Sequence, residues 1–309
     1  MIEVSEAFAR ETIGREGPPG AAWLAGLPGI VDELLETWGC VPDGEVVHGR
    51  VAVIVPVKRS AETAVVKVSF PHPGNVHEPD AFAVWSGRGA VLLHERDDAR
   101  FAMLLERAGT STLAEVGDGD EVVAVAGRLG RRLAVPAPPG LPRLADRADE
   151  WADGLRADAA ELPHTMPRGV VDAALATVRE LGRDQPETLV HGDLHPGNVL
   201  RAEREPWLAV DPKGVVGDPA YDGGTLLMAR ALTFLESDDP HRAVRRVVDV
   251  FAEAAELDRE RVRRWAQLHA VQAAFHGRRH GFGVARGGPW LDRLTELADR
   301  LAESLTEAV

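Results

Sequence analysis

The chain has 309 residues, of which 45% are hydrophobic and 27% charged, with a formal net charge of -14. That composition is ordinary for a soluble globular protein long enough to bury a core, but it lacks the basic face that nucleic-acid binding requires. No segment is apolar over the width of a bilayer, the start carries no apolar run of signal-peptide length, and the single Cys40 excludes an intrachain disulfide framework. A cytoplasmic protein without nucleic-acid or membrane partners is therefore expected, a monomer or weak dimer. Its only lysines are Lys58, Lys67 and Lys213, so chemistry that needs a lysine has three candidates.

Residues 1–39 are helical in pattern, with Trp23, Leu24, Leu27, Ile30, Val31, Leu34, Leu35 and Trp38 recurring near a 3.6-residue period and breaks expected at Gly20 and Pro28-Gly29. From Val46 the period changes. VVHGRVAVIVPV and AVVKVSF, separated by a polar turn at Arg59 to Thr63, read as adjacent antiparallel strands. Gly44 and Gly49 flank the first run without forming a GxGxxG loop. Lys67 falls inside the second run, where a buried ammonium needs an anion, and Glu78, at the start of the next helix, is the nearest candidate.

GAVLLHERD and RFAMLLER, joined by a turn at Asp97-Asp98, read as two further strands, and Glu106-Arg107-Ala108-Gly109 as a hinge. Backbone groups there, at Glu106 and Ala108, are candidates to meet a nucleobase, because a strand edge supplies a donor and an acceptor without side chains. Beyond the hinge the pattern is helical: Asp120 to Leu133, a stiff PAPPGLP loop at 136–142, then Leu144 to Leu162 and Arg168 to Leu181. After Gly224, LLMARALTFL, AVRRVVDVFAEAAEL, RVRRWAQLHAVQAAFHGRRH and WLDRLTELADRLAESL are helical too. The expected layout is α+β: a small antiparallel-sheet N-lobe with a helical extension over 1–107, and a large helical C-lobe over 108–309.

Between these helices stands LVHGDLHPGNVLRAEREPWLAVDPKGVVGDPAYD, Leu189 to Asp222. Its octet from His191 to Asn198 fits the kinase loop H-x-D-L-x-x-x-N, and Asp211 follows an apolar strand where a metal-binding acid of that chemistry stands. Phosphoryl transfer needs a group to accept the attacking hydroxyl's proton, for which Asp193 is the candidate. It also needs oxygen ligands for magnesium, for which Asn198 and Asp211 are the candidates, and a lysine on the phosphates of ATP, here Lys67 paired to Glu78. His191 and His195 are expected to orient the loop, and Asp222 to accept hydrogen bonds from its backbone. Two other readings use the same residues: a zinc hydrolase built on His191, Asp193 and His195, and a plain polar turn. Pro196-Gly197 breaks the strand the first needs, and the second leaves Lys67, Asp193 and Asp211 unexplained together.

On HGDLHPGNVL and WLAVDPKGVVGDPAYD, supported by AVVKV and MLLER, the chain resembles the aminoglycoside phosphotransferase-like kinases, within them the group of streptomycin phosphotransferases and hydroxyurea antibiotic-resistance kinases. The resemblance implies a bilobal protein-kinase-like fold, ATP with magnesium, and phosphorylation of a small-molecule hydroxyl, with Asp193 as base, Asn198 and Asp211 as metal ligands and Lys67 on the phosphates. Another small metabolite as acceptor, or a nucleotide-binding regulator without turnover, are the alternatives. Six residues, none of them Ser, Thr or Tyr, separate Asp211 from Asp218, too few for a phosphorylatable activation segment. A polycationic acceptor calls for carboxylates, and Asp153, Asp158, Glu161 and Asp218 are candidates. His276 and Arg279, in FHGRRHGFG at 275–283, are further candidate contacts, though Arg278 and Arg279 would repel a cation unless they pair with acids.

Overall fold

The computed structural model describes residues 2–117, 119–282 and 288–306. Two compact units are present, one of Met1–Thr110 with Arg201–Lys213, the other of Ser111–Leu200 with Gly214–Val309.

The first unit begins with helices α1 (Glu6–Glu16) and α2 (Pro18–Thr37). Ser5 caps α1 by accepting a hydrogen bond from the Phe8 N–H, and Gly17, at φ 64°, turns the chain into the prolines that open α2. The break therefore falls at Gly17, not at Gly20 or Pro28-Gly29. Pro28 lies within α2, held there by an apolar stripe of Leu27, Val31 and Leu34 that outweighs the one backbone bond proline forfeits. Gly20 is a packing residue, since a Cβ there would lie 2.9 Å from Glu16 Cβ and 3.0 Å from Thr12 O. Gly20→Ala is accordingly expected to destabilise the fold by about 1–3 kcal/mol, read as a lower urea midpoint at unchanged slope.

The sheet follows: β1 (Val41–Pro42), β2 (Val47–His48), β3 (Ala52–Arg59), β4 (Glu62–Ser69), then helix α3 (Glu78–Trp85), β5 (Leu93–Asp97) and β6 (Ala102–Glu106). All pairs are antiparallel, in the order β1-β3-β4-β6-β5 with β2 also on β3. The run from Val46, read as one strand, is two, because Gly49 turns it into a β2–β3 hairpin in which its N–H donates to Ala52 O at 2.9 Å. Alternation along β4 and β6 sends Val66, Val68 and Leu104 into the core under α2 and Lys67, Ser69 and Met103 to the opposite face.

Residues 201–213 belong with this sheet unit, which otherwise runs to Thr110. Backbone pairing is the reason: Val91 N–H donates to Ala209 O at 3.2 Å and Ala209 N–H to Gly89 O at 2.9 Å. Arg204 adds bonds to both Glu106 carboxylate oxygens and to the carbonyls of Gly87 and Ala90.

The second unit is helical: α4 (Asp120–Leu133), α5 (Ala148–Glu161), α6 (Arg168–Thr177), α7 (Tyr221–Ala229), α8 (Pro240–Ala255), α9 (Arg259–His280) and α10 (Gly288–Thr306). Acids in the first turn of α4 and arginines in its last suit the helix dipole. Asp258 caps α9 at the Arg261 N–H, and Gly281 at φ 73° ends it. These helices close on Trp265, Phe251, Phe275, Val271 and Leu301, all at most 2% exposed. No helix of the described residues is long and apolar enough to cross a membrane.

Candidate active site

In the second unit the strand Thr188–Val190 delivers the chain into the loop from His191 to Asn198. Asp222, in the first turn of α7 and 2% exposed, accepts hydrogen bonds from the N–H groups of His191 (3.1 Å), Gly192 (2.9 Å) and Leu194 (3.4 Å). Fully buried His191 accepts from the Asp193 N–H through Nδ1 at 3.2 Å, and His195 from the Gly197 N–H at 3.1 Å. Asn198 donates Nδ2 to Asp193 O at 3.0 Å. The backbone of Asp193 is thus fixed on both sides. Its carboxylate remains one-third exposed, with Oδ1 4.0 Å from His195 Nε2.

Both histidine Nδ1 atoms serve the loop's own backbone, and the three residues of the zinc reading lie in a loop rather than on one face of a strand. Among the described residues no three His, Cys, Asp or Glu side chains gather into a metal-holding group. Magnesium is a different case, because it takes few protein ligands and prefers oxygen. Asn198, with Nδ2 committed to Asp193 O, keeps an amide oxygen of the donor type such a cation takes. Asp211, in the first unit, has a carboxylate of the same oxygen-donor type on a side chain about half exposed. This donor chemistry fits a hard divalent cation.

In the first unit Lys67, 7% exposed, stands between two carboxylates. It donates to Glu78 Oε1 at 2.5 Å and to Asp211 Oδ1. Burial opposes its charge, but the attraction of Asp211 and then of Glu78 outweighs that and keeps the ammonium protonated. Burial pushes the Glu78 carboxyl up to about 7, the single Lys67 charge being shared with Asp211. Asp211 itself has a left-handed backbone, φ 57°, a conformation aspartate tolerates better than most residues but that still stores strain.

Asp222 is likewise raised to about 7 by burial, which its three N–H donors only partly offset. Both acids hold their proton more tightly folded than unfolded, so between about pH 4 and pH 7 they make stability fall as pH rises, and they outweigh buried His269, lowered to about 4, which pulls the other way up to about pH 6.5. The urea midpoint is expected to drop from pH 5 to pH 7.5, and Glu78→Gln to flatten part of that slope. A midpoint rising over this interval would contradict both assignments.

The remaining candidates lie elsewhere or are engaged. Glu106 has its carboxylate held by Arg204 and the Leu92 N–H, and its own N–H donates to Leu92 O, which leaves its carbonyl as the backbone group of that expectation. Ala108 stands two residues beyond β6. Asp218 is 2% exposed, and its carboxylate accepts from Arg261, from Trp265 Nε1 at 2.6 Å and from the Ala220 N–H. Asp153 is exposed and paired with Arg156. Asp158 and Glu161 both bind Arg279, at 2.6 and 2.7 Å. Arg278 reaches buried Asp299 at 2.7 Å and two carbonyls, so both arginines are neutralised and the expected repulsion of a cation lapses. His276 is exposed, its ring 4.9 Å from that of His280. The sequence reading missed the Lys67–Asp211 contact and the clamp by Arg204, and only the fold joins those positions.

Comparison with known proteins matches residues 37–281 to the aminoglycoside/hydroxyurea antibiotic resistance kinase family. The chain is 37% identical to a streptomycin 6-kinase of Streptomyces glaucescens, covering 89% of this chain and 90% of that one. It is 36% identical to a hydroxyurea phosphotransferase of Kitasatospora aureofaciens, covering 88% and 79%. Among solved structures, aminoglycoside phosphotransferase APH(4)-Ia superposes with a TM-score of 0.57 at 12% identity, covering 90% of this chain and 99% of that one.

Proposed function

The chain belongs to the aminoglycoside/hydroxyurea antibiotic resistance kinase family, and from that premise we propose that it transfers the γ-phosphate of ATP to a hydroxyl of streptomycin or a close aminoglycoside. It is a small-molecule kinase of the aminoglycoside phosphotransferase type, with a protein-kinase-like fold. What carries the mechanism is the pinned loop: Asp222 and His191 fix the backbone of Asp193 while its carboxylate stays accessible. What carries the acceptor is the identity to streptomycin 6-kinases over nearly the whole chain.

In this reading Asp193 takes the proton from the attacking hydroxyl, and Lys67, oriented by Glu78, neutralises charge on the nucleotide phosphates. Asn198 and Asp211 supply oxygen ligands to magnesium, which when bound draws off negative charge from the transferring group. Asp211→Ala is expected to remove activity, as is excess EDTA, with magnesium restoring only the latter. Full turnover in EDTA would rule out the metal assignment. Hydroxyurea is the second reading, resting on the similarity to the hydroxyurea phosphotransferase. Steady-state ADP release with each acceptor separates them, with kcat/KM for streptomycin expected to exceed that for hydroxyurea. The reverse order would transfer the assignment to hydroxyurea.

A further inference from the structure

The first unit contains a cavity of about 230 Å³ behind α3, on the sheet face that carries Lys67. That is about the space of seven waters. Its walls come from the first turn of α3 (Glu78, Pro79, Asp80), the β5–β6 hairpin (Arg96, Asp97, Asp98, Phe101 to Met103), and Ser69 with Asn75 and Val76. The lining carries four carboxylates and one guanidinium, and with Lys67 on Glu78 and Arg100 on Asp97 the cations paired to those carboxylates number three, which leaves one negative charge in excess. Arg96 is already committed, donating to Asp80 at 2.8 Å and to Asp98 at 2.7 Å, so it offers an incoming anion little.

Acidity alone would signify only a solvated edge. A second observation lies in the same wall: Ser69 is 2% exposed and its hydroxyl has no hydrogen-bond partner. A buried hydroxyl left unpaired is costly, and one beside a cavity can be satisfied by what enters it. Val76, Pro79, Phe101, Ala102 and Met103 add apolar surface for a short hydrocarbon body.

We infer that this cavity binds a small organic cation, an alkylammonium with a body of a few carbons, whose head meets the carboxylates and the Ser69 hydroxyl. Glu78 lines the cavity and also holds Lys67. An occupant therefore draws on the carboxylate that orients that lysine, and bears on the first turn of α3. The binding stands by itself, whereas its effect on nucleotide rests on the reading of Lys67 as the phosphate lysine.

The test uses the full chain, amide-resolved NMR, and n-butylammonium as probe, with 1-butanol as a neutral control of matching size. Saturable shifts are expected at amides from Ser69 to Asp80 and from Arg96 to Met103, with 1-butanol at least about tenfold weaker, the scale of a charge-assisted hydrogen bond. Ser69→Val should weaken the probe about tenfold. Val76→Trp, at a rim position 45% exposed, should block it while sparing the core. Equal binding of probe and 1-butanol, absence of saturation, or unaltered binding in Val76→Trp would each overturn the site. ATP affinity is then measured with and without saturating probe. A shift supports the coupling, and an unchanged affinity overturns it while leaving the site in place. Loss of streptomycin phosphorylation, scored in a separate assay, would speak only against the proposed reaction.

Discussion

Asp193→Asn is expected to lower kcat for streptomycin phosphorylation about 10²- to 10⁴-fold, the range general base catalysis contributes, while ATP affinity stays within about threefold of the wild type. The substitution is conservative for the loop, because what fixes residue 193 is its backbone: its N–H meets His191 Nδ1 and its carbonyl accepts from Asn198. Neither bond involves the side chain. The carboxylate's charge and its capacity to take a proton are lost while the loop's backbone bonds stay, so KM should change little and kcat should fall. Turnover near the wild-type rate would remove Asp193 from the mechanism.

The second large effect is expected at Asp222. Its carboxylate gathers three backbone N–H groups in a buried position, and Asp222→Ala leaves those donors without it. At about 1–3 kcal/mol for a buried unsatisfied group, offset by relief of a buried charge, the net loss is on the order of 3 kcal/mol. For a unit of this size that corresponds to a Tm lower by roughly 10 °C. Activity should fall about 10²-fold or more, since a loop displaced by an ångström loses its alignment. Asp222→Asn separates the two effects: it retains one acceptor oxygen but turns an amide donor toward N–H groups, so stability should recover in part and kcat should not. A calorimetric scan with steady-state kinetics reads both. An Asp222→Ala enzyme with kcat within twofold of the wild type would show that the loop holds its shape by other means.

Much of this was legible in the residues because local chemistry dictated it. An ammonium in the apolar run AVVKV needs an anion, and Glu78 opens the next helix, so the Lys67–Glu78 pair follows from desolvation alone. The polar octet after an apolar lead-in required its backbone groups to find acceptors, which made Asp222 and the two histidines candidates before any geometry. What the sequence concealed depends on chain segments far apart. Residues 201–213 pair with the first unit's backbone at Gly89 and Val91, and backbone pairing leaves little trace in side-chain pattern. Asp218 looked like a ligand carboxylate but lies beneath Arg261 and Trp265 of α9, 43 and 47 residues on. Helix breaks were misplaced for a related reason: Pro28 and Gly20 are breakers by intrinsic preference, yet the packing of Leu27, Val31 and Leu34 holds α2 through both.

The account is tested most directly by incubating streptomycin with catalytic protein, ATP and magnesium, and analysing the product by mass spectrometry and phosphorus NMR. The expected product is streptomycin carrying one phosphoryl group as an ester on a hydroxyl, formed in step with ADP and at least about 10²-fold more slowly with Asp193→Asn. Unmodified streptomycin from a chain that binds ATP, or ADP formed without any phosphorylated acceptor, would contradict it.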